Sequence, residues 1–168
     1  SDRTQRVLMV QVENEIGMLP SARDHSASAE AALQRSQVAT DGTPAGDEQF
    51  QAWGYARYVE ELAKAGKQEY ALPMFVNAAL NRPGALPGQY PSAGPLPHLF
   101  TIWKKFAPSI DLLAPDSYWP DFVPWAKKYS IQGNTLFVPE LNRAGKSEAA
   151  ANASICRGLA NNSHAIIA

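Results

Sequence analysis

Two glutamates stand out because each closes a short apolar run. Glu15 follows the run at 7–12, and Glu140 follows the run at 135–138. Two carboxyl groups that share a pocket can hydrolyse a glycosidic bond: one protonates the leaving oxygen while the other attacks the anomeric carbon, at a separation of about 5–5.5 Å in retaining enzymes. The alternative for Glu15 is that it merely begins a solvated loop.

Further polar and aromatic residues lie where other apolar runs end, and we predict that they bind substrate: Asn14, Asn77, Asp116, Tyr118 and Trp119. Asn14 is suited to hydrogen-bond a sugar hydroxyl next to the reacting carbon, and Tyr118 is suited to orient a nucleophile. Each has a structural alternative. Asn77 would be a satisfied strand-end amide, Asp116 the cap of a turn, and Trp119 packing at the rim.

The elements that must position these residues alternate between strand and helix. Short apolar runs predict strands at 7–12, 71–80, 110–119 and 135–140, and the start of a fifth at 164–168. Helical patterns lie at 48–65, 98–106, 122–129 and 147–159. We expect Asp47 to cap the first helix and Gly66 to end it. The β-branched run at 7–12 predicts a strand that is buried on both faces.

This alternation predicts a parallel α/β sheet. The sequence has no Gly-x-Gly-x-x-Gly or phosphate-binding Lys-Ser/Thr motif after a strand, which argues against a nucleotide-binding doubly wound fold. Polar residues at the ends of several strands favour a (β/α)8 barrel. A complete barrel needs about 250 residues, so the 168 residues here predict a partial (β/α)8 TIM barrel.

Four segments resemble one enzyme family. Val10-Gln-Val-Glu-Asn-Glu15-Ile-Gly17 resembles the Gln-Val-Glu-Asn-Glu-Tyr-Gly segment of family 35 β-galactosidases, with Ile16 in place of tyrosine. Phe137-Val-Pro-Glu140-Leu-Asn-Arg143 resembles the nucleophile strand of a bacterial branch of that family near family 42. The segments around Asn77 and Tyr118 resemble its fifth and sixth strands.

The resemblance implies a retaining, β-galactosidase-like glycoside hydrolase. Glu15 would be its acid/base and Glu140 its nucleophile, with Asn14 and Tyr118 as supports. Residues 1–168 would then form the C-terminal half of the catalytic barrel, about strands four to eight. Its substrate would be a β-galactoside or a related oligosaccharide.

The composition of the chain limits the kinds of partner and cofactor that we expect. Fifteen basic and sixteen acidic residues give a net charge of −1 without a basic stripe, so we expect no nucleic-acid partner. No apolar run approaches the roughly 20 residues of a membrane helix. Cys156 is the only cysteine and His25 has no second ligand at metal spacing, so we expect no metal and no cofactor. Localisation stays open, with a periplasmic or secreted bacterial protein favoured over a cytoplasmic one.

Two other functions were weighed. A carbohydrate-binding or catalytically inactive barrel fragment would keep the glutamates without turnover, and its open sheet edges would invite homo-oligomers. An aldolase or isomerase would need a lysine or a metal cluster at the strand ends, whereas all seven lysines are predicted on helices or loops. We also predict that Trp53 and Trp103 lie in the core and that Glu13 pairs with a cation.

Overall fold

The structure is a computed structural model that describes residues 4, 6–118, 122–131 and 133–141, and the backbone of 165–167. Trp119, Arg143 and the helix predicted at 147–159 lie outside the described residues, so those predictions are not addressed.

Short strands alternate with helices, as the sequence predicts. The strands are β1 Val10–Gln11, β2 Met74–Ala79, β3 Leu112–Ser117, β4 Leu136–Val138, β5 Glu140–Leu141 and β6 Ala165–Ile167. The α-helices are α1 Ala27–Leu33, α2 Pro44–Glu69, α3 Phe100–Phe106 and α4 Phe122–Tyr129, and a 3-10 turn, Pro97–Leu99, precedes α3.

The sheet is parallel throughout and follows chain order. Strands β1, β2, β3 and β5 are neighbours in that order, with all three pairings parallel. This four-stranded sheet curls into a half-barrel. Strand β4 forms a second parallel pair with β6. Pro139 separates β4 from β5, and because proline has no N–H to donate, it interrupts the fourth predicted strand at that point.

Side-chain alternation gives the curled sheet two different faces. Outward-facing residues pack with the helices into one large apolar core, which includes Val76, Leu113, Leu136, Val59, Trp103 and Tyr129. The inward face has a small apolar cluster of Phe75, Ala114 and Phe137. Two residues further along β2 and β3, the same face carries Asn77 and Asp116. The polar residues therefore lie directly above an apolar floor, and the predicted core positions of Trp53 and Trp103 are confirmed.

Three predictions about the first half of the chain are wrong, and they concern the first strand and the two ends of the first long helix. The run at 7–12 is not buried on both faces, since Leu8 is 74% exposed and no described strand pairs with the outer edge of β1. The first long helix is capped by Thr43, whose side chain accepts from the Gly46 N–H. Proline at the first helical position suits this earlier start. Asp47 lies inside the first turn, where its carboxylate instead accepts from Arg23.

Gly66 does not end α2, which continues to Glu69. A Cβ at this position would lie 2.7 Å from the Met74 side chain. The atom in question is the terminal methyl carbon of Met74, a flexible side chain that can move aside.

Candidate active site

The polar residues meet because parallel strands end at the same edge of a sheet. Asp116 of β3 is in register with Ala79 of β2 on one side and with Glu140 of β5 on the other. The segment after β1 adds Glu15 at the same edge, where it hydrogen-bonds Asn77 of β2. The structure thus brings together six of the seven predicted site residues, and the seventh, Trp119, lies outside the described part of the chain.

Asn77 forms hydrogen bonds with several of the other residues at this edge. Its Oδ1 accepts from the Glu15 N–H at 3.0 Å and from Gln11 Nε2 at 3.2 Å. Its Nδ2 donates to Asn14 Oδ1 at 3.0 Å and to Asp116 Oδ2 at 2.6 Å. This fully buried amide therefore fixes the backbone at Glu15 and the side chains of Asn14 and Asp116. This bonding agrees with the strand-end amide that we weighed for Asn77.

The backbone after β1 leaves the strand conformation at once. Glu13 and Glu15 have φ angles of 61° and 48°, the left-handed region that L-residues rarely occupy. Such strain costs of order 1 kcal/mol per residue and persists where the surroundings enforce it, here through the Asn77 contact. Strand alternation therefore does not extend to Glu13, whose carboxylate accepts from the Tyr58 hydroxyl at 2.9 Å. The predicted cation partner of Glu13 is not found among the residues that the structure describes.

Glu140 is held by a phenol from the neighbouring strand end. The Tyr118 hydroxyl donates to Glu140 Oε2. This hydrogen bond, burial and the Glu140 charge raise the pKa of Tyr118 to about 12. Tyr118 therefore remains a proton donor at neutral pH and keeps one oxygen of Glu140 in a fixed orientation.

Asp116 lies between the two glutamates and is only 1% exposed. Burial raises the pKa of Asp116 to about 8, and the negative charges of Glu140 and Glu15 act in the same direction. The hydrogen bond from Asn77 opposes this shift. These effects favour the protonated form of the Asp116 carboxyl at neutral pH, although it is surrounded by groups that the sequence predicts to be catalytic.

A cavity of about 350 Å³ opens beside these residues. Glu15, Asp116 and Tyr118 line one wall, and Arg82, Gln89 and Tyr90 line another. Glu140 is not among the described residues that line the cavity. It accepts a hydrogen bond from Tyr118, which does line it. The volume is in the usual range for small-molecule sites, about 300–1,000 Å³.

The second wall was not predicted from the sequence. It belongs to the Pro/Gly-rich segment 82–97, which connects β2 to α3. The segment is fixed by Glu48 of α2, whose Oε1 accepts from the Tyr90 hydroxyl at 2.9 Å and from the Ala93 N–H at 3.1 Å. Glu48 Oε2 lies 2.8 Å from His98 Nε2. A carboxylate thus supplies the hydrogen-bonding partners that this irregular backbone lacks.

The same segment is joined to the turn that carries Glu15. Met18 and Ser92 form an antiparallel bridge, and a Cβ at Gly17 would lie 2.6 Å from the Pro91 Cβ. Gly17 is therefore required for close packing of the two segments.

Gln11 is a further residue of the site that the sequence analysis did not predict. Its Nε2 also donates to Asn14 Oδ1 at 2.9 Å. The position of Gln11 in the quoted Gln-Val-Glu-Asn-Glu motif was the one signal in the sequence that could have indicated this role.

Other chemistries find little support at this edge. Among the described residues, no group of three or more histidine, cysteine or acidic side chains could hold a metal ion. The six described lysines lie on helices, as expected: Lys64, Lys67, Lys104, Lys105, Lys127 and Lys128. None of the described lysines is therefore placed at a strand end to form a Schiff base.

Comparison with known proteins leaves the family unassigned: no family model matches the chain, and no curated protein matches it significantly. Within the part of the chain that the structure describes, no helix combines the length and apolar character needed to cross a membrane.

Proposed function

We propose that this chain is part of a retaining glycoside hydrolase of the β-galactosidase-like kind, with Glu15 as acid/base and Glu140 as nucleophile. The observation that carries the proposal is geometric. Glu15 follows β1 and Glu140 lies on β5, at the two sides of the four-stranded sheet. Both nevertheless lie at Asp116, since Glu140 is its register partner. On the other side, Asn77 donates to Asp116 and accepts from the Glu15 N–H. Two carboxyl groups that converge in this way are the arrangement that glycoside hydrolysis requires.

The surroundings of each glutamate support the division of roles. Glu140 is oriented by Tyr118, which suits a nucleophile that must present one oxygen to the anomeric carbon. Glu15 lines the open cavity, where a leaving group departs and water enters. Asn14 is exposed and its amide oxygen is fixed by Asn77 and Gln11, which suits a contact to the sugar hydroxyl next to the reacting carbon. Trp119 is proposed as an apolar platform for the sugar ring.

The reaction has two steps. In the first, the acid protonates the glycosidic oxygen while Glu140 attacks the anomeric carbon, so the leaving group departs and a glycosyl ester forms. In the second, Glu15 takes a proton from water, the water oxygen attacks the same carbon, and Glu140 is released. Two inversions retain the β configuration of the product.

The fold supports placing this chemistry in a (β/α)8 barrel. The four-stranded sheet follows chain order and its strands end in the candidate residues, as barrel strands do. We infer that β1, β2, β3, the β4–β5 strand and β6 are strands four to eight, and that residues 1–168 form the C-terminal half of the catalytic domain. Strands one to three of the barrel would then pair with the outer edge of β1.

The nucleophile is tested by replacing Glu140 with glycine in the whole protein that carries this chain. We expect hydrolysis of an aryl β-galactoside to be abolished. Added azide, which attacks from the face that Glu140 vacates, should restore turnover with a single inversion and give α-galactosyl azide. A β-configured azide would contradict Glu140 as the nucleophile. The matched control is Glu13→Gly, a carboxylate at the same edge whose positive φ favours glycine; it should retain activity.

The acid is tested by the leaving group. Glu15→Ala should reduce kcat/KM by several orders of magnitude for galactosides with poor leaving groups, and much less for a dinitrophenyl galactoside that departs without a proton. An equal loss on both substrates would remove the acid role from Glu15.

A second candidate is a carbohydrate-binding or catalytically inactive barrel fragment. The observation that favours it is the outer edge of β1, which has no partner strand among the described residues and exposes Leu8 and Val10. Such an edge invites association, including homo-oligomers. Binding of galacto-oligosaccharides by calorimetry, without turnover of any activated galactoside by the whole protein, would support this candidate over the hydrolase.

A further inference from the structure

The hydrogen bonds of Asp116 are incomplete. Its Oδ2 accepts from Asn77 at 2.6 Å, but its Oδ1 is buried and has no donor among the described groups. An ionised carboxylate at this depth would normally be matched by several donors. Among the described residues that line the cavity beside Asp116, the only other acid is Glu15.

Two carboxyl groups can hydrogen-bond to each other only if one of them keeps its proton. The geometry brings the two residues to the same place. Asn77 holds Asp116 through its Nδ2 and holds the backbone of Glu15 through its Oδ1, so one amide tethers both partners. Both side chains also line the same cavity, where a substrate oxygen would meet them.

We propose that Asp116 and Glu15 form a carboxyl pair that shares one proton, and that this pair, not Glu15 alone, is the acid that protonates the leaving oxygen. The inference rests on the proposed function and changes the role of Asp116. Asp116 becomes a positioning residue that acts through Glu15, whereas the sequence predicted a direct contact with the sugar. Two coupled carboxyls that hold one proton between them are a known device for acid catalysis near neutral pH.

The charges balance over the two steps. In the first step the pair loses its proton to the leaving oxygen while Glu140 loses its negative charge in the glycosyl ester, so the net charge of the three groups does not change. In the second step water returns a proton to the pair and Glu140 regains its charge. After burial, the Glu140 charge is the largest cause of the raised pKa of Asp116. Formation of the ester therefore makes the proton easier to release when it is needed.

Other charged and titratable groups surround the pair without supplying a competing proton. Glu140 and Tyr118 approach from the neighbouring strand ends, Tyr129 from α4, and Arg82 from the loop after β2. Burial and the Asp116 charge raise the pKa of Tyr129 well above its ordinary value. Both phenols therefore stay neutral through the range in which the pair titrates.

The test is Asp116→Asn in the whole protein, because asparagine is neutral and similar in shape but cannot hold the proton. For a galactoside with a poor leaving group, we expect the alkaline limit of kcat/KM to move to lower pH by about one unit or more, since a second carboxylate no longer retains the proton. For a dinitrophenyl galactoside, which needs no acid, the limit should not move. Wild-type protein with both substrates is the matched control.

Other outcomes would overturn the pair. If the alkaline limit of kcat/KM for the substrate with the poor leaving group is the same in Asp116→Asn and the wild type, Asp116 has a purely structural role. A loss that is equal for both substrates at every pH would make Asp116 a sugar ligand. If the wild-type protein fails to cleave even the dinitrophenyl galactoside, the proposed function fails on separate grounds.

Infrared difference spectroscopy tests the pair independently of activity. Wild-type protein at pH 7 should show the C=O band of a buried protonated carboxyl, and the band should be lost in Asp116→Asn. Absence of this band in the wild type would overturn the inference even where the variant fails to fold.

Discussion

Glu48 and Asp116 are both carboxylic acids that are 1% exposed, but their surroundings are opposite. Glu48 has donors on both oxygens, from Tyr90, Ala93 and His98. Among the described residues, Asp116 has a single donor, Asn77, and it lies near two other carboxyl groups. Burial is the same in the two regions, so burial alone does not distinguish a structural acid from a functional one.

The difference lies in what a proton would do. A proton on Glu48 would disrupt bonds that fix the wall of the cavity, whereas a proton on Asp116 relieves repulsion and completes a hydrogen bond. A buried carboxylate with a full set of donors therefore stabilises the fold. A buried carboxyl that faces other carboxyls is unfavourable for stability and is expected where chemistry requires it.

The largest expected effect is the loss of stability when Glu48 is replaced. Replacing Glu48 with alanine leaves the Tyr90 hydroxyl and the Ala93 N–H buried without their acceptor, so we expect a loss of about 3–4 kcal/mol in the free energy of unfolding. Urea denaturation measures this loss. Glu61→Ala, at an exposed position on the same helix, is the control and should change stability by less than about 0.5 kcal/mol. Similar losses in the two variants would mean that the donors around Glu48 contribute little.

The second effect is the dependence of stability on pH. Because the pKa of Asp116 is raised from 3.8 to about 8, the folded protein binds a proton that the unfolded chain has lost between these values. Asp116 therefore makes stability fall as pH rises through this window, by up to about 1.4 kcal/mol per pH unit.

Asp116→Asn should flatten this slope between pH 5 and 7 and raise stability at pH 7, as measured by denaturation at a series of pH values. A slope that is the same in the variant and the wild type would show that Asp116 is already ionised at neutral pH.

A third effect separates activity from stability. Tyr118 is 46% exposed and donates to Glu140, so Tyr118→Phe should lower kcat on an aryl galactoside by at least about tenfold through loss of a charge-assisted hydrogen bond. Its midpoint in urea should change little. A large loss of stability with unchanged kcat would place Tyr118 with Glu48 as a structural residue.

The smallest effect is expected at Glu13, the exposed acid nearest to the site in sequence. Its hydrogen bond with Tyr58 lies at the surface, so Glu13→Gln should change stability by less than about 0.5 kcal/mol and leave kcat/KM unchanged. A marked loss of activity would mean that Glu13 also takes part in the proposed reaction.

Much of this site was accessible from the order of residue types. Apolar runs that each end in a polar side chain predicted parallel strands and a shared edge, and the structure places Asn77, Asp116 and Glu140 there. The principle is local: alternation and strand length follow from neighbouring residues. Errors arose where local patterns had a tertiary competitor. Asp47 was predicted to cap the first long helix, but Thr43 caps it, and the Asp47 carboxylate is bonded to Arg23 from another segment.

The sequence by itself determined which side chains end the strands, and therefore which acids are available for chemistry. Only the tertiary structure decided their states, because the proton affinity of Asp116 depends on burial and on two charges contributed by distant parts of the chain. It also decided the second wall of the cavity, since a Pro/Gly-rich segment has no regular hydrogen bonding of its own and takes its position from Glu48 of a separate helix.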